Sequence, residues 1–166
     1  MGKKTISFGL NRREIDRAIK ELEEYRKELI RRCNELIQQL TDYGYEFAKF
    51  EVLRMGTFDT GNLADSIQGY FDADVGIGFI RAECWYAVYV EYGTGVVGAD
   101  SAHPLAGAHG WQYDINNHGD SGWVYWSGRD GNWHWTKGQQ SHPFMYNTLR
   151  ELQRKAVDMA QSVFNR

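Results

Sequence analysis

Residues 12–55 read as one uninterrupted amphipathic helix, and its length restricts everything else the chain can do. Ile15, Ile19, Leu22, Leu29, Cys33, Leu36, Leu40, Tyr43, Phe47 and Phe50 recur at alternating steps of four and three, which lays a stripe down one side of an α-helix. Arg26 is the one break in that stripe, Ile30 and Ile37 widen it, and charges fill the remaining positions. Asn11 with Glu14 three residues on resembles a capping box. No proline interrupts the stretch, only Gly44 weakens it, and Gly56 ends it. About 44 residues make a rod of roughly 66 Å. A compact domain of 166 residues has a diameter near 40 Å, about twice what its radius of gyration suggests. The helix must therefore break near Thr41–Gly44 and fold back on itself, or project from the body. A projecting apolar seam needs a partner, either the C-terminal helix of the same chain or a neighbouring subunit. Both alternatives stay open at this point.

The remainder fits one domain, residues 11–166, behind a flexible arm at residues 1–10. No apolar run of about 18 residues occurs, so no membrane span is expected. No apolar signal region follows Met1-Gly2-Lys3-Lys4, so cytoplasmic synthesis and folding are expected. Cys33 and Cys84 are the only cysteines and are expected as two buried free thiols rather than a disulfide. Charge is unevenly placed. Residues 1–56 hold 12 basic and 10 acidic groups, residues 57–142 hold 3 and 10, and residues 143–166 hold 4 and 2. A specific nucleic-acid binder needs a basic patch at its reading surface, and the middle of this chain offers the opposite.

After Gly56, Asp59 or Thr60 can cap a short helical turn containing Leu63. Asp59 and Asp65 lack the further oxygen ligands of a calcium loop. From Ile67 the period drops to two. Ile67, Gly69 and Phe71, then Val75, Ile77 and Phe79, predict a β-hairpin with these residues on its buried face. Gly76 and Gly78 on the other face suggest close approach of a neighbour. Tyr86-Ala-Val-Tyr-Val-Glu-Tyr-Gly-Thr-Gly95 reads as a short, mostly buried helix closed by Gly93, or as a buried strand running into a turn. In either case Glu91 needs partners, and nearby backbone donors that fix the following loop would supply them. Residues 96–122 form a long loop. Trp123–Trp126 and Asn132–Thr136 flank Asp130-Gly131 as a second hairpin, and a two-residue turn would set Trp126 opposite Trp135. Residues 96–135 thus form a Trp-rich loop and hairpin insertion. Pro143 suits the first position of a last helix, with Met145, Leu149, Leu152, Ala156, Met159 and Val163 as its stripe. The expected fold is α+β: a long N-terminal helix, an antiparallel sheet of hairpins, and a C-terminal helix packed on the sheet.

No catalytic constellation emerges. His103, His109, His118, His134 and His142 match no metal-ligand spacing, and the nucleophile-elbow, P-loop and dinucleotide motifs are missing. No catalytic, cofactor-binding or metal residue is therefore assigned. Five of the six tryptophans lie between Trp111 and Trp135. They are expected to pack the hairpin on the body or on a neighbouring subunit. Stacking on sugars or bases is the alternative.

Three motifs occur in order: D-T-G-N-L-A-D-S-I at Asp59–Ile67, Y-A-V-Y-V-E-Y-G-T-G at Tyr86–Gly95, and T-K-G-Q-Q-S-H-P-F-M at Thr136–Met145. With a helix before and after, the set resembles the minor tail component, or tail-completion (neck), family of tailed bacteriophages and prophages. The resemblance covers the chain from about residue 11. It maps the family motifs onto Asp59, Thr60, Gly61 and Leu63, then Tyr86, Tyr89, Glu91, Gly93 and Thr94, then Pro143 and Phe144. It implies a non-enzymatic virion protein at the head–tail junction, with no cofactor. It implies self-assembly as a homo-oligomeric ring, six subunits being the expected number, in contact with other neck and tail proteins. DNA would pass through such a ring without specific binding, and no membrane is involved. Ile15, Ile19, Leu22, Leu29 and Leu36 are the expected subunit interface. The alternatives are a carbohydrate-binding module built on the aromatic loop and a metal-dependent hydrolase.

Overall fold

A computed structural model describes residues 5–56 and 61–165. Asp59 and Thr60, expected to cap the turn after the long helix, lie outside the described residues. The long helix is continuous. α1 runs from Arg12 to Arg54, 43 residues and about 65 Å. Asn11 caps it by accepting the Glu14 N–H at 3.0 Å. The Glu14 carboxylate takes the Asn11 amide at 2.8 Å and the Gly9 N–H, which ties part of the arm to the first turn. Gly56 closes the far end with a φ of 66°.

After α1 come α2 (Asn62–Asp65), β1 (Ile67–Asp72), β2 (Ile77–Ala82), α3 (Ala87–Tyr92), α4 (Gly95–Asp100), β3 (Trp123–Ser127), β4 (Asn132–Thr136) and α5 (Phe144–Phe164). β1 pairs with β2 and β3 with β4, giving two separate antiparallel hairpins. This is the expected α+β architecture. The alternative of α1 breaking near Thr41–Gly44 does not occur, because the helix finds a partner without folding back. α5 runs antiparallel along it. Asn147 reaches Glu51, Glu151 reaches the Tyr43 hydroxyl, and Arg32 reaches the carbonyls of Val163 and Phe164. At 21 residues, about 32 Å, α5 is half the length of α1, and its hydrogen bonds to α1 fall between Arg32 and Glu51.

Gly44 lies under both Ile80 and Leu152, so the hairpin and α5 converge on the helix where it lacks a side chain. The core assembles around this meeting point from Ala48, Val52, Leu63, Ala64, Ile67, Ala87, Val90 and Phe144.

β1 turns the expected face inward, but β2 does not. Phe71 pairs with Gly78 and Gly69 with Ile80, so Gly78, Ile80 and Ala82 face α1. Val75, Ile77 and Phe79 are exposed. The four-residue turn Ala73–Gly76 sets this register. The space beside Thr41 and Ile37 admits only Gly78. The close approach expected of that glycine is therefore made by the subunit's own helix.

Other expectations shift in the same way. Trp126 pairs with Trp133, not Trp135. Ser127 and Asn132 close a four-residue loop, in which the Asp130 carboxylate accepts the Asn132 N–H at 3.2 Å. Pro143 is the cap residue, and Phe144 is the first helical position. Leu149 is exposed, while Phe144, Thr148 and Val163 form the buried side of α5. Both cysteines are free, but neither is buried as expected: Cys33 is exposed and Cys84 half-buried.

Candidate functional site

Glu91 organises the centre of the molecule. α3 is the short helix of the two readings, not the strand, and it ends at Gly93, whose φ of 79° suits glycine. A Cβ there would meet the Ser141 nitrogen and the Gln139 carbonyl, so the segment before α5 runs flush against it. Val90 and Glu91 accept from this segment: the His142 N–H reaches the Val90 carbonyl at 2.9 Å and the Ser141 hydroxyl reaches the Glu91 carbonyl at 2.7 Å. The Glu91 side chain, 7 % exposed, then points at the first turn of α5. It accepts the Met145 N–H at 2.8 Å and the Tyr146 N–H at 2.9 Å. Proline at the cap position offers no side-chain acceptor, so a carboxylate more than fifty residues earlier fills that role. The negative charge also faces the positive end of the helix dipole.

The long loop after α4 supplies the third partner. His103, also buried, lies 3.0 Å from Glu91 through Nε2. Its Nδ1 accepts the Leu105 N–H at 3.0 Å. A nitrogen that accepts carries no proton, so Nε2 holds it and donates to Glu91. Both ring nitrogens are committed, and neither is available to a substrate. The ring packs on Tyr92, with centroids 4.2 Å apart. Burial raises the Tyr92 hydroxyl above its ordinary range, and the Glu91 charge adds to this. Trp111 stacks on the other side of Tyr92 and donates to the Gly93 carbonyl at 3.1 Å. The Tyr113 hydroxyl accepts the His103 N–H at 2.9 Å. Residues 101–113 are thus pinned to α3 and its Gly93 cap through His103 and Trp111, and the Tyr113 bond braces the loop itself.

The expected backbone donors to Glu91 are therefore present, but they belong to α5 rather than to the loop that follows it. His103 was not legible as a partner. The one available signal was the sequence Ser141-His-Pro-Phe-Met145, a helix start without an Asp, Asn, Ser or Thr at its cap. Of the other motif residues, Gly61 caps α2 with a φ of 77°, and Leu63 and Phe144 are core. Tyr86 packs on that core, and Thr94 pairs with Gln139. Tyr89 is half-exposed and sits edge-on to Trp85 and Trp111. The second and third motifs meet at Glu91, Gly93 and Thr94. The described part of the first, Gly61–Ile67, meets them only through the core.

A cavity of about 360 Å³ opens beside Glu91, walled mainly by Ala82, Val88, Leu105, Phe144, Met145 and Leu149. Its surface is largely apolar, and the one carboxylate at its edge is already bonded three times. Three of the other histidines pair singly: His118 with Asp114, His134 with Asp130, and His109 with Tyr92; His142 bonds through its backbone N–H to Val90. Among the described residues no three His, Cys, Asp or Glu side chains gather as a metal ion would require. Backbone N–H groups of Gly119 and His118 hold the Asp114 carboxyl below its usual range, which marks it as the organiser of its own turn.

Of the expected interface residues, Ile15, Ile19 and Leu22 are exposed, whereas Leu29 and Leu36 are half-buried within the subunit. No helix among the described residues is long and apolar enough to cross a membrane. No protein-family model, curated protein or solved structure matches this chain.

Proposed function

We propose that the chain is a non-enzymatic ring subunit of a tailed-phage virion, a minor tail component or tail-completion (neck) protein at the head–tail junction. The observation that carries this reading is the uncovered half of α1. Residues 12–31 extend about 30 Å beyond the Arg32 hydrogen bonds to α5. The seam that α5 and the first hairpin cover in the body continues there through Ile15, Ile19 and Leu22, with the latter two 49 % and 54 % exposed. Ala18 is the one buried residue of that half. Covering each large residue gains roughly 1 kcal/mol, about half the value for full burial. A second copy of the chain is the occupant proposed, and head-to-tail contacts between identical subunits close into a ring when the rotation permits.

The ordered motifs support the reading, since the second and third form a structural lock rather than a reactive site. The acidic middle of the chain suits the wall of a passage through which DNA slides. The test is native mass spectrometry and electron microscopy of the purified protein beside the I19E/L22E double variant. The wild type should form closed rings. The variant should melt like the wild type, because both side chains are exposed in the subunit, but remain monomeric. Rings that survive the double substitution, or a variant that unfolds, would overturn the interface. A wild type that stays monomeric at high concentration would overturn the ring.

A further inference from the structure

Trp111 and Trp123 of the insertion turn inward, Trp111 stacking on Tyr92 and Trp123 lying half-buried beside His118. Trp126, Trp133 and Trp135 are exposed, and Trp85 ahead of α3 is 81 % exposed. A cleft of about 710 Å³ lies between α3 and the β3–β4 hairpin. Trp85, Tyr86 and Tyr89 line one side, and Trp123, Tyr125 and His134 line the other. A second cleft, of about 690 Å³, shares Tyr89, Thr94 and Trp123 with the first and continues past Trp111 to Asp114. Together they make one groove with a waist at those three shared residues. Each volume falls within the range of small-molecule sites.

We propose that this groove binds a neutral oligosaccharide. Sugar rings have one face of C–H groups, which stacks on aromatic rings, and an edge of hydroxyls, which needs polar side chains beside the stack. The groove carries both. Tyr125 and His134 lie face to face at 5.7 Å, while Trp85 makes T-shaped contacts with Tyr86 and Tyr89 and keeps most of its indole surface exposed at the cleft. The polar groups have unused capacity. Neither the Arg129 guanidinium, the Tyr125 hydroxyl nor the Trp85 indole N–H has a hydrogen-bond partner among the described residues. His134 spends one ring nitrogen on Asp130 at 2.8 Å and keeps the other. Gln139 donates to the Tyr89 carbonyl at 2.7 Å and keeps its own oxygen. The two sides are held in place, because Thr94 bridges to Gln139 across the base.

Charge selects the ligand class. Arg129 and Asp130 offset one another in the first cleft, and Asp114 is the one carboxylate in the second. A phosphate-bearing strand would meet no basic track, whereas an uncharged polymer meets stacking faces and hydroxyl partners. The shared waist suits a chain several sugars long rather than a single ring. This inference stands independently of the ring assembly.

The experiment is titration of the full chain with chitohexaose, cellohexaose and maltohexaose, followed by tryptophan fluorescence and calorimetry, beside a dT oligonucleotide. At least one hexasaccharide should bind saturably. Trp85→Ala and Arg129→Ala should each weaken binding roughly tenfold or more, the usual scale for losing a stacking platform or a hydrogen-bonded anchor. Trp133→Ala, an exposed indole outside both clefts, should leave it unchanged. All three side chains are exposed, so the variants keep the fold. No saturable binding of any hexasaccharide, binding of the oligonucleotide alone, or equal weakening by Trp133→Ala would each overturn the proposal.

Discussion

Glu91→Gln tests the central lock with one atom changed. The carboxylate takes three donors, with Met145 N–H on Oε2 and Tyr146 N–H and His103 Nε2–H on Oε1. Glutamine keeps one oxygen. With that oxygen toward Tyr146 and His103, the new amide N–H₂ faces the Met145 N–H, and a buried donor is orphaned at about 1–3 kcal/mol. In the opposite orientation two donors are orphaned. His103 cannot adapt by moving its proton to Nδ1, because Leu105 already donates there. Loss of the negative charge at the α5 N-terminus costs up to about 2 kcal/mol more in a buried setting. The sum is about 1–5 kcal/mol, or a melting temperature lower by about 2–20 °C for a chain of this size. Urea unfolding followed by circular dichroism reads the same quantity. A variant within about 0.5 kcal/mol of the wild type, the range of an ordinary surface change, would refute the buried-cap argument.

Gly78→Ala should destabilise by about 1–3 kcal/mol, since the methyl would meet Thr41 and Ile37 of α1; equilibrium unfolding checks it. Acid should loosen the α1–α5 seam. Arg54, aided by Asn147, holds the Glu51 carboxyl below its usual range, and Arg154 with Tyr43 holds Glu151 down to about 2. A depressed carboxylate stabilises the fold above its ordinary pKa and loses that contribution as pH falls through its folded value. The melting temperature should therefore decline from about pH 4.5 downward toward pH 2, and Glu51→Gln should flatten part of the decline. Chelator should leave the melting temperature unchanged, because a metal contributing folding energy would be removed with it; about one zinc per chain by elemental analysis would contradict this.

The local elements were legible because their signals are local. The four-and-three stripe, Asn11 with Glu14, and Gly56 bounded α1 to within a residue or two. Gly93 correctly marked the end of α3, and alternation located both hairpins. What the sequence could not decide was which side each element turned toward the rest. The β2 face was misassigned, since alternation names two faces and only the space beside Thr41 and Ile37 selects the one with Gly78. The hairpin register moved because the Ser127–Asn132 loop is closed by its own side chains. Whether α1 broke or projected depended on α5, a partner some hundred residues away that covers only half of it. Glu91 announced a need for donors, but His103 and the α5 N-terminus became its partners only when the long loop and the last helix closed over it. Periodicity is a property of one segment, whereas burial, capping from a distance and pairing belong to the contacts that the folded chain makes.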